Sequence, residues 1–238
     1  KQKTAYEISL GLVGSEMCIR DRYKEVDEET FDLIKFDNKY SKQSRSYKYI
    51  AKIFEMQFDT EELNFAQAIL KEWNLGTDLN NTSAALGVCV LSSEWISEQG
   101  QRIPQDPEIS FKECVKELTA TYGKVNPLWS DRNFIARGGE KTSVQGGPDV
   151  LRAIYGRNDE EGDLNAAGGD GLYIHVSWNE NGDQDSKSIH QYGSATQDIS
   201  SKHYDDQVQL YVDEKYKSTF FEKKDLAINT SKVYYVPE

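Results

Sequence analysis

The chain has 238 residues, with 28 Lys and Arg against 40 Asp and Glu, three His and a net charge of −12. A balance that acidic argues against binding a phosphate backbone, which needs clustered cations, and against anionic membrane surfaces. Nor does any apolar run approach the ~20 residues needed to span a bilayer, while the length suffices for one core that buries ~70% of the unfolded surface.

Residues 1–22 read unlike the rest and resemble a translated adaptor sequence of the kind found at the ends of environmental sequence assemblies. A signal peptide is the alternative, with Lys1 and Lys3 before a short apolar run. That run is broken by Ser9 and Gly11 and followed by Glu16, with no small-x-small cleavage site. The prefix is expected to be disordered or poorly packed, leaving 23–238 as the domain.

Helical signals fill the first half. A short helix is expected over 28–35 and a turn over 36–41. Ser44 then caps a helix over 45–57, with Tyr47, Ile50, Ile53 and Phe54 at helical spacing. Asp59 or Thr60 caps the next, whose stripe is Leu63, Ala66, Ile69, Leu70 and Trp73 and whose stop is Gly76. Asn80 or Asn81 precedes a third helix to about Glu98, with 84–91 buried on most faces. After a loop over 99–105, Asp106 and Pro107 start a fourth. Its inner face is Phe111, Cys114, Val115, Leu118 and Tyr122, and Gly123 ends it.

Beyond Gly123 the period changes. The stretch 124–147 reads as a loop anchored by Trp129, Phe134 and Ile135. A strand is expected over 150–155 and an exposed acidic loop over 157–170. Leu172, Ile174, Val176 and Trp178 alternate and are expected to form the core face of a strand. The Asn181-Gly182 pair signals a hairpin returning over 187–192. Ser200-Ser201 can cap a helix from Tyr204, a short helix follows over 220–226, and a last strand over 233–236. Helices first and strands later make the class α+β.

Chemistry is sparse. Cys18 belongs to the prefix, Cys89 sits in an apolar run where it acts as a small hydrophobe, and Cys114 falls on a helix. Whether Cys89 and Cys114 pair stays open. All three histidines, His175, His190 and His203, lie within 169–207. Zinc would want His at i and i+4 with Glu, or a closed Cys/His set. Neither pattern occurs, so imidazoles bonded to backbone at a strand end and a helix start are expected. Neither 158–170 nor 179–185 has the residue order of a calcium loop, and no Gly-Gly pair is followed directly by Lys-Ser/Thr, so turns rather than phosphate cradles are expected. No serine stands in Gly-x-Ser-x-Gly. A Ser194–His190 dyad can be drawn, but adjacency makes no triad.

Two segments carry a family resemblance. One runs Ser188-Ile-His-Gln-Tyr-Gly-Ser194, then His203-Tyr-Asp-Asp-Gln207 and Leu210-Tyr211; the other is Gly146-Gly-Pro-Asp-Val-Leu-Arg-Ala-Ile-Tyr-Gly156. Together they resemble the C-terminal end of the β chain in penicillin-acylase-type enzymes, N-terminal-nucleophile hydrolases that include penicillin amidases, acyl-homoserine-lactone acylases and aculeacin-type acylases. The resemblance implies an αββα-layered fold, of which this chain would be the C-terminal portion. It implies a precursor that cleaves itself into α and β chains. The first β-chain residue, usually Ser, is the nucleophile, with its own amine as base and an Asn and a backbone N–H for the oxyanion. The matched positions include none of these, so no catalytic, cofactor-binding or metal residue is assigned and no cofactor is expected. The implied partners are the α chain, the upstream β-chain segment and an N-acyl amide substrate, with no nucleic acid or membrane. The implied location is periplasmic or secreted. Ser194-Ala195 replaces the commoner Gln-Ser pair, which bears on substrate subclass. Two other readings compete: a binding module using Trp178, Tyr192 and Tyr204, and a metal-dependent hydrolase using His190 and His203.

Overall fold

A computed structural model describes residues 25–230. The prefix 1–22 and the strand expected over 233–236 lie outside the described residues. The chain divides into two compact units, Lys1–Asp170 and Gly171–Glu238.

In the first unit, α1 (Glu28–Lys35) starts where Asp27 accepts a bond from the Thr30 N–H at 2.8 Å, which holds the Asp27 carboxyl below its usual range. Ser44 caps α2 (Arg45–Ile50) through the Tyr47 N–H. The helix expected to reach 57 tightens instead into a 3₁₀ turn, Ala51–Glu55. The cause is Gln67, whose buried amide donates to the Ile53 and Met56 carbonyls, each at 2.8 Å, and takes them from any continuing helix.

Thr60, not Asp59, caps α3 (Glu61–Glu72). The helix ends before Gly76: Trp73 turns extended, Leu75 adopts φ 65°, and the Trp73 indole donates to the Gly76 carbonyl at 2.8 Å. Asn81 starts α4 (Ala84–Gln99), its side-chain oxygen accepting from the Ser83 and Ala84 N–H groups. Every residue of 84–91 is buried. Asp106, Pro107 and Gly123 bound α5 (Pro107–Tyr122) as expected, and Phe111, Cys114, Val115 and Leu118 are buried on its inner face. A Cys89–Cys114 disulfide joins α4 to α5. These helices close one core around Ile50, Ile53, Leu70, Trp73, Leu86 and Leu118.

The stretch 124–147 is not a loop. After a 3₁₀ turn at Trp129–Asp131 it forms a hairpin of β1 (Asn133–Arg137) and β2 (Glu140–Ser143). Gly138 and Gly139, at φ 62° and 89°, make its two-residue turn, the geometry that matches strand twist and that Gly-Gly accepts without strain. The strand expected over 150–155 starts later, as β3 (Ile154–Asn158). Asp149 at φ 59° bends the chain, and the Arg152 N–H is taken by the Asp37 carbonyl at 2.9 Å. Within the expected loop 157–170 lies β4 (Leu164–Gly169). Its Asn-Ala-Ala-Gly-Gly run has little strand propensity, but it is paired on both sides, parallel to β1 and antiparallel to β3. The sheet order is β2-β1-β4-β3.

The second unit holds a sheet of order β5-β6-β7, made of β5 (Leu172–Trp178), β6 (Gln184–His190) and β7 (Lys217–Ser218). The Asn181-Gly182 turn closes the expected hairpin, with Gly182 donating to the Asn179 carbonyl at 2.9 Å. The facing is opposite to expectation. Tyr173 is buried, while Leu172, Ile174 and Trp178 are 59%, 53% and 65% exposed. The partner strand decides this. Its buried Ile189 lies opposite Tyr173, whose ring stacks 6.0 Å from Tyr211. Ile174 and Val176 lie opposite Ser188 and Ser186, hydroxyls committed to Thr219. The helix expected from Tyr204 is shorter, α6 (Val208–Val212). Asp198, Ser200 and Ser201 close local turns instead of capping it. The last helix, α7, spans Lys223–Asn229.

Candidate functional site

The segment 146–156 is a fastening. The Trp129 indole donates to the Gly146 carbonyl at 2.9 Å and the Tyr40 hydroxyl to the Pro148 carbonyl at 2.6 Å. Burial pushes the Tyr40 phenol far above its usual range, so that hydroxyl stays a donor. Gly147 and Ala153 bridge in parallel. Arg152 is fully buried, its guanidinium 5.7 Å over the Phe36 ring and 3.9 Å from Asp170 Oδ2. Lys35 Nζ reaches the same carboxylate at 3.3 Å and the Leu151 carbonyl at 3.1 Å, and Asp170 accepts from the Ala153 N–H at 2.9 Å. Buried charge needs such company, and it fixes the entry to β3.

The segment 188–207 is a second fastening. A Cβ on Gly193 would lie 1.9 Å from the His203 carbonyl oxygen. The Ala195 N–H donates to that oxygen, and the Gln207 N–H to the Tyr192 carbonyl, each at 3.0 Å. His190 Nδ1 accepts from the Tyr192 N–H at 3.2 Å, the backbone-bonded imidazole expected at a strand end. His203 differs: half exposed, it pairs with Asp206 Oδ2 at 2.7 Å, in turns ahead of α6. Among the described residues, neither His190 nor His203 belongs to a group of three or more His, Cys, Asp or Glu ligand atoms close enough to share an ion. Of the three aromatics of the binding-module reading, Trp178 is largely exposed while Tyr192 and Tyr204 are half-buried.

In the acidic turn between β3 and β4, Asp159, Asp163 and Glu161 converge on Lys141 Nζ at 2.6, 2.9 and 3.4 Å. The ammonium is the cation of this loop. Its bonds to Asp159 and Asp163 hold it above the usual lysine range, and its bond holds Asp159 below the usual carboxylate range.

The first unit also has a partly open cavity of about 440 Å³, bounded by Val88 and Trp95 of α4, Trp129, Arg132, and Ile154 and Leu164 of β3 and β4. That volume lies within the range of small-molecule sites. Arg132 is 2% exposed. Its Nη2 pairs with Glu117 at 2.6 Å, its Nη1 donates to the Gly162 carbonyl at 3.5 Å, and it lies 5.9 Å over the Tyr122 ring. Burial and a bond to Asp163 push the Tyr122 phenol up to about 12. The buried Nε of Arg132 and the buried Nε1 of Trp95 meet no acceptor among the described residues. The lining mixes apolar Val88, Ile154 and Leu164 with polar Ser92, Asn133 and Asn158. With 124–147 as the expected loop, nothing in the sequence brings these residues together. The Gly138-Gly139 hairpin signal would have placed Arg132 just ahead of a strand.

Compared with known proteins, the chain matches the penicillin amidase family model over residues 15–227. No curated protein matches it.

Proposed function

Since the chain belongs to the penicillin amidase family of acylase-type hydrolases, we propose that it forms the C-terminal part of the β chain of an enzyme that hydrolyses N-acyl amides. The reading rests on which segments match: 146–156 and 188–207 both resemble the end of that chain, and both serve as fastenings here. The nucleophile, its amine base and the oxyanion donors would come from the upstream β-chain sequence. Attack by the amine-activated hydroxyl on the amide carbonyl, an acyl-enzyme, and its hydrolysis would follow. The substrate would be a linear amide, of a β-lactam side chain, an acyl-homoserine lactone or a lipopeptide.

The uncovered face of β5 supports the part of the reading that concerns a missing cover. Leu172, Ile174 and Trp178 are exposed on an edge strand, an arrangement that invites another chain segment to pair or pack there. The α chain and the upstream β-chain segment are the proposed cover. The Cys89–Cys114 disulfide supports an oxidising, periplasmic or secreted location. Among the described residues no helix is long and apolar enough to cross a membrane.

The test is an amide-hydrolysis assay of this chain beside the same chain joined to its natural upstream sequence, with aromatic and long-chain N-acyl amides as substrates. The expected result is no turnover by the chain alone, and self-cleavage followed by hydrolysis in the joined form. Turnover by the chain alone that survives replacement of every serine and of Cys89 and Cys114 would refute the missing nucleophile. A joined form that neither self-cleaves nor hydrolyses any acyl amide would remove the acylase reading.

A further inference from the structure

We infer that an open basin in the first unit, walled by α2, the 3₁₀ turn after it and the loop after α4, binds a compact small molecule carrying three or more negative charges. The basin measures about 330 Å³, at the small end of the range for small-molecule sites. Arg45, Lys48, Lys52 and Arg102 line it. The first three stand three and four positions apart, a spacing that sets side chains beside one another, and like charges so placed repel. Arg102 joins them from the loop after α4. Arg45 is already engaged, by the buried carboxylate of Glu94 and, at 3.8 Å, by Asp149. Lys48, Lys52 and Arg102 meet no carboxylate within ion-pair distance among the described residues. Lysines elsewhere in the chain do: Lys35, Lys112, Lys141 and Lys215 each pair with an acid. In a chain with 40 Asp and Glu, three uncompensated cations around one hollow mark a place from which acid has been kept out. Such a concavity concentrates positive potential and draws an anion of matching charge. Its wall is fixed before any ligand arrives. The Tyr49 hydroxyl donates to the Gln105 carbonyl, the Gln105 N–H to Ser93 Oγ, each at 2.9 Å, and the Arg102 N–H to the Ser97 carbonyl at 2.7 Å. Compactness is part of the fit, because the net charge of −12 repels any polyanion long enough to leave the basin.

The inference stands on the basin alone and does not need amide hydrolysis. Its readout is binding, so its failure and that of the acylase reading are separable.

The probes are tripolyphosphate and citrate, with acetate as the singly charged counterpart. Each is titrated into the purified 238-residue chain by calorimetry at neutral pH, in low salt and again in high salt. The two multivalent anions are expected to bind saturably at one site, more weakly in high salt, and acetate at least about tenfold more weakly than either. Lys48→Gln combined with Lys52→Gln should weaken them by about tenfold or more, and Arg102→Gln alone several-fold. These side chains are exposed, so the variants should fold, which far-ultraviolet dichroism checks. Lys112→Gln combined with Lys116→Gln removes the same charge outside the basin and should leave the affinities unchanged. Binding of only one of the two anions would keep the proposal and name its chemistry, phosphate or carboxylate. An equal loss in the Lys112 and Lys116 variant would mean diffuse attraction to the whole surface and overturn the proposal. So would acetate bound as tightly as the multivalent anions, or binding indifferent to Lys48, Lys52 and Arg102. No binding of tripolyphosphate or citrate would mean that water and dissolved salt suffice for the three cations, and would overturn it as well.

Discussion

A methyl group at position 193 has nowhere to go. It would meet the His203 carbonyl oxygen at 1.9 Å and Asp206 Oδ1 at 2.7 Å, and the backbone on both sides is tied by the bonds of Ala195 and Gln207. Gly193→Ala is expected to destabilise by about 1–3 kcal/mol through overpacking, measured by urea denaturation; a change within ~0.5 kcal/mol, usual for a surface site, would show that the turn gives way. His203→Ala should cost less, ~0.5 kcal/mol or under, because its partner Asp206 is a solvent-screened surface contact. Lys141 sets a pH dependence. Its folded pKa is raised, so its contribution is complete below the free-lysine value of 10.5 and is lost as pH rises through the folded value. The folded pKa of Asp159 is depressed, so its contribution is present above 3.8 and lost as pH falls through the folded value. Thermal melts of wild type and Lys141→Gln should differ by a constant amount near neutrality and converge below pH 3.8. Melting curves that stay equally separated down to acid would refute the assignment. Such residue-level contacts were the least legible from sequence. Asp159, Glu161 and Asp163 read as a solvated loop because nothing local announces that a lysine eighteen residues earlier will fill their centre.

At the scale of elements, the helical half was open to reading because its signals are local. Asp106-Pro107, Gly123 and Asn81 each satisfy a helix end within a few residues. The strands needed partners to be understood. Alternation in β5 shows that its two faces differ, but only the register against β6 shows that Tyr173, opposite Ile189, is the inner one. Tyr173→Ala is therefore expected to cost about 3–4 kcal/mol, whereas Trp178→Ala, at a residue 65% exposed, should stay within ~0.5 kcal/mol. Paired urea melts decide it, and the reverse ranking would mean the strand is turned over. Between α4 and α5, the Cys89–Cys114 bond closes a loop across 25 positions of sequence. Replacing both cysteines by alanine should lower stability by about 3 kcal/mol on the chain-entropy account; an unchanged midpoint would show that packing alone holds the pair of helices.

For the whole molecule, the class was legible, helices first and strands later, and so was the family, through two segments that turn out to be fastenings. The cavity was not, because its lining is gathered from separate stretches between Val88 and Leu164 that only the folded sheet and helices bring together. The exposed face of β5 also has a solution consequence. The chain alone should self-associate, and Ile174→Lys with Trp178→Glu should raise its monomer fraction in size-exclusion chromatography without altering the far-ultraviolet dichroism. Unchanged association would place the sticky surface elsewhere.

The ammonium at the centre of the β3–β4 turn has one more implication, a matter of mass action. A free divalent ion competes for carboxylates according to how much of it the surroundings supply. Lys141 is tethered to the strand beside Asp159 and Asp163, so its effective concentration is fixed by chain geometry at the order of millimolar or above. The order of this loop should therefore be indifferent to chelators and to swings in calcium: the counter-ion is inherited with the gene, and no ion homeostasis is required to keep it there.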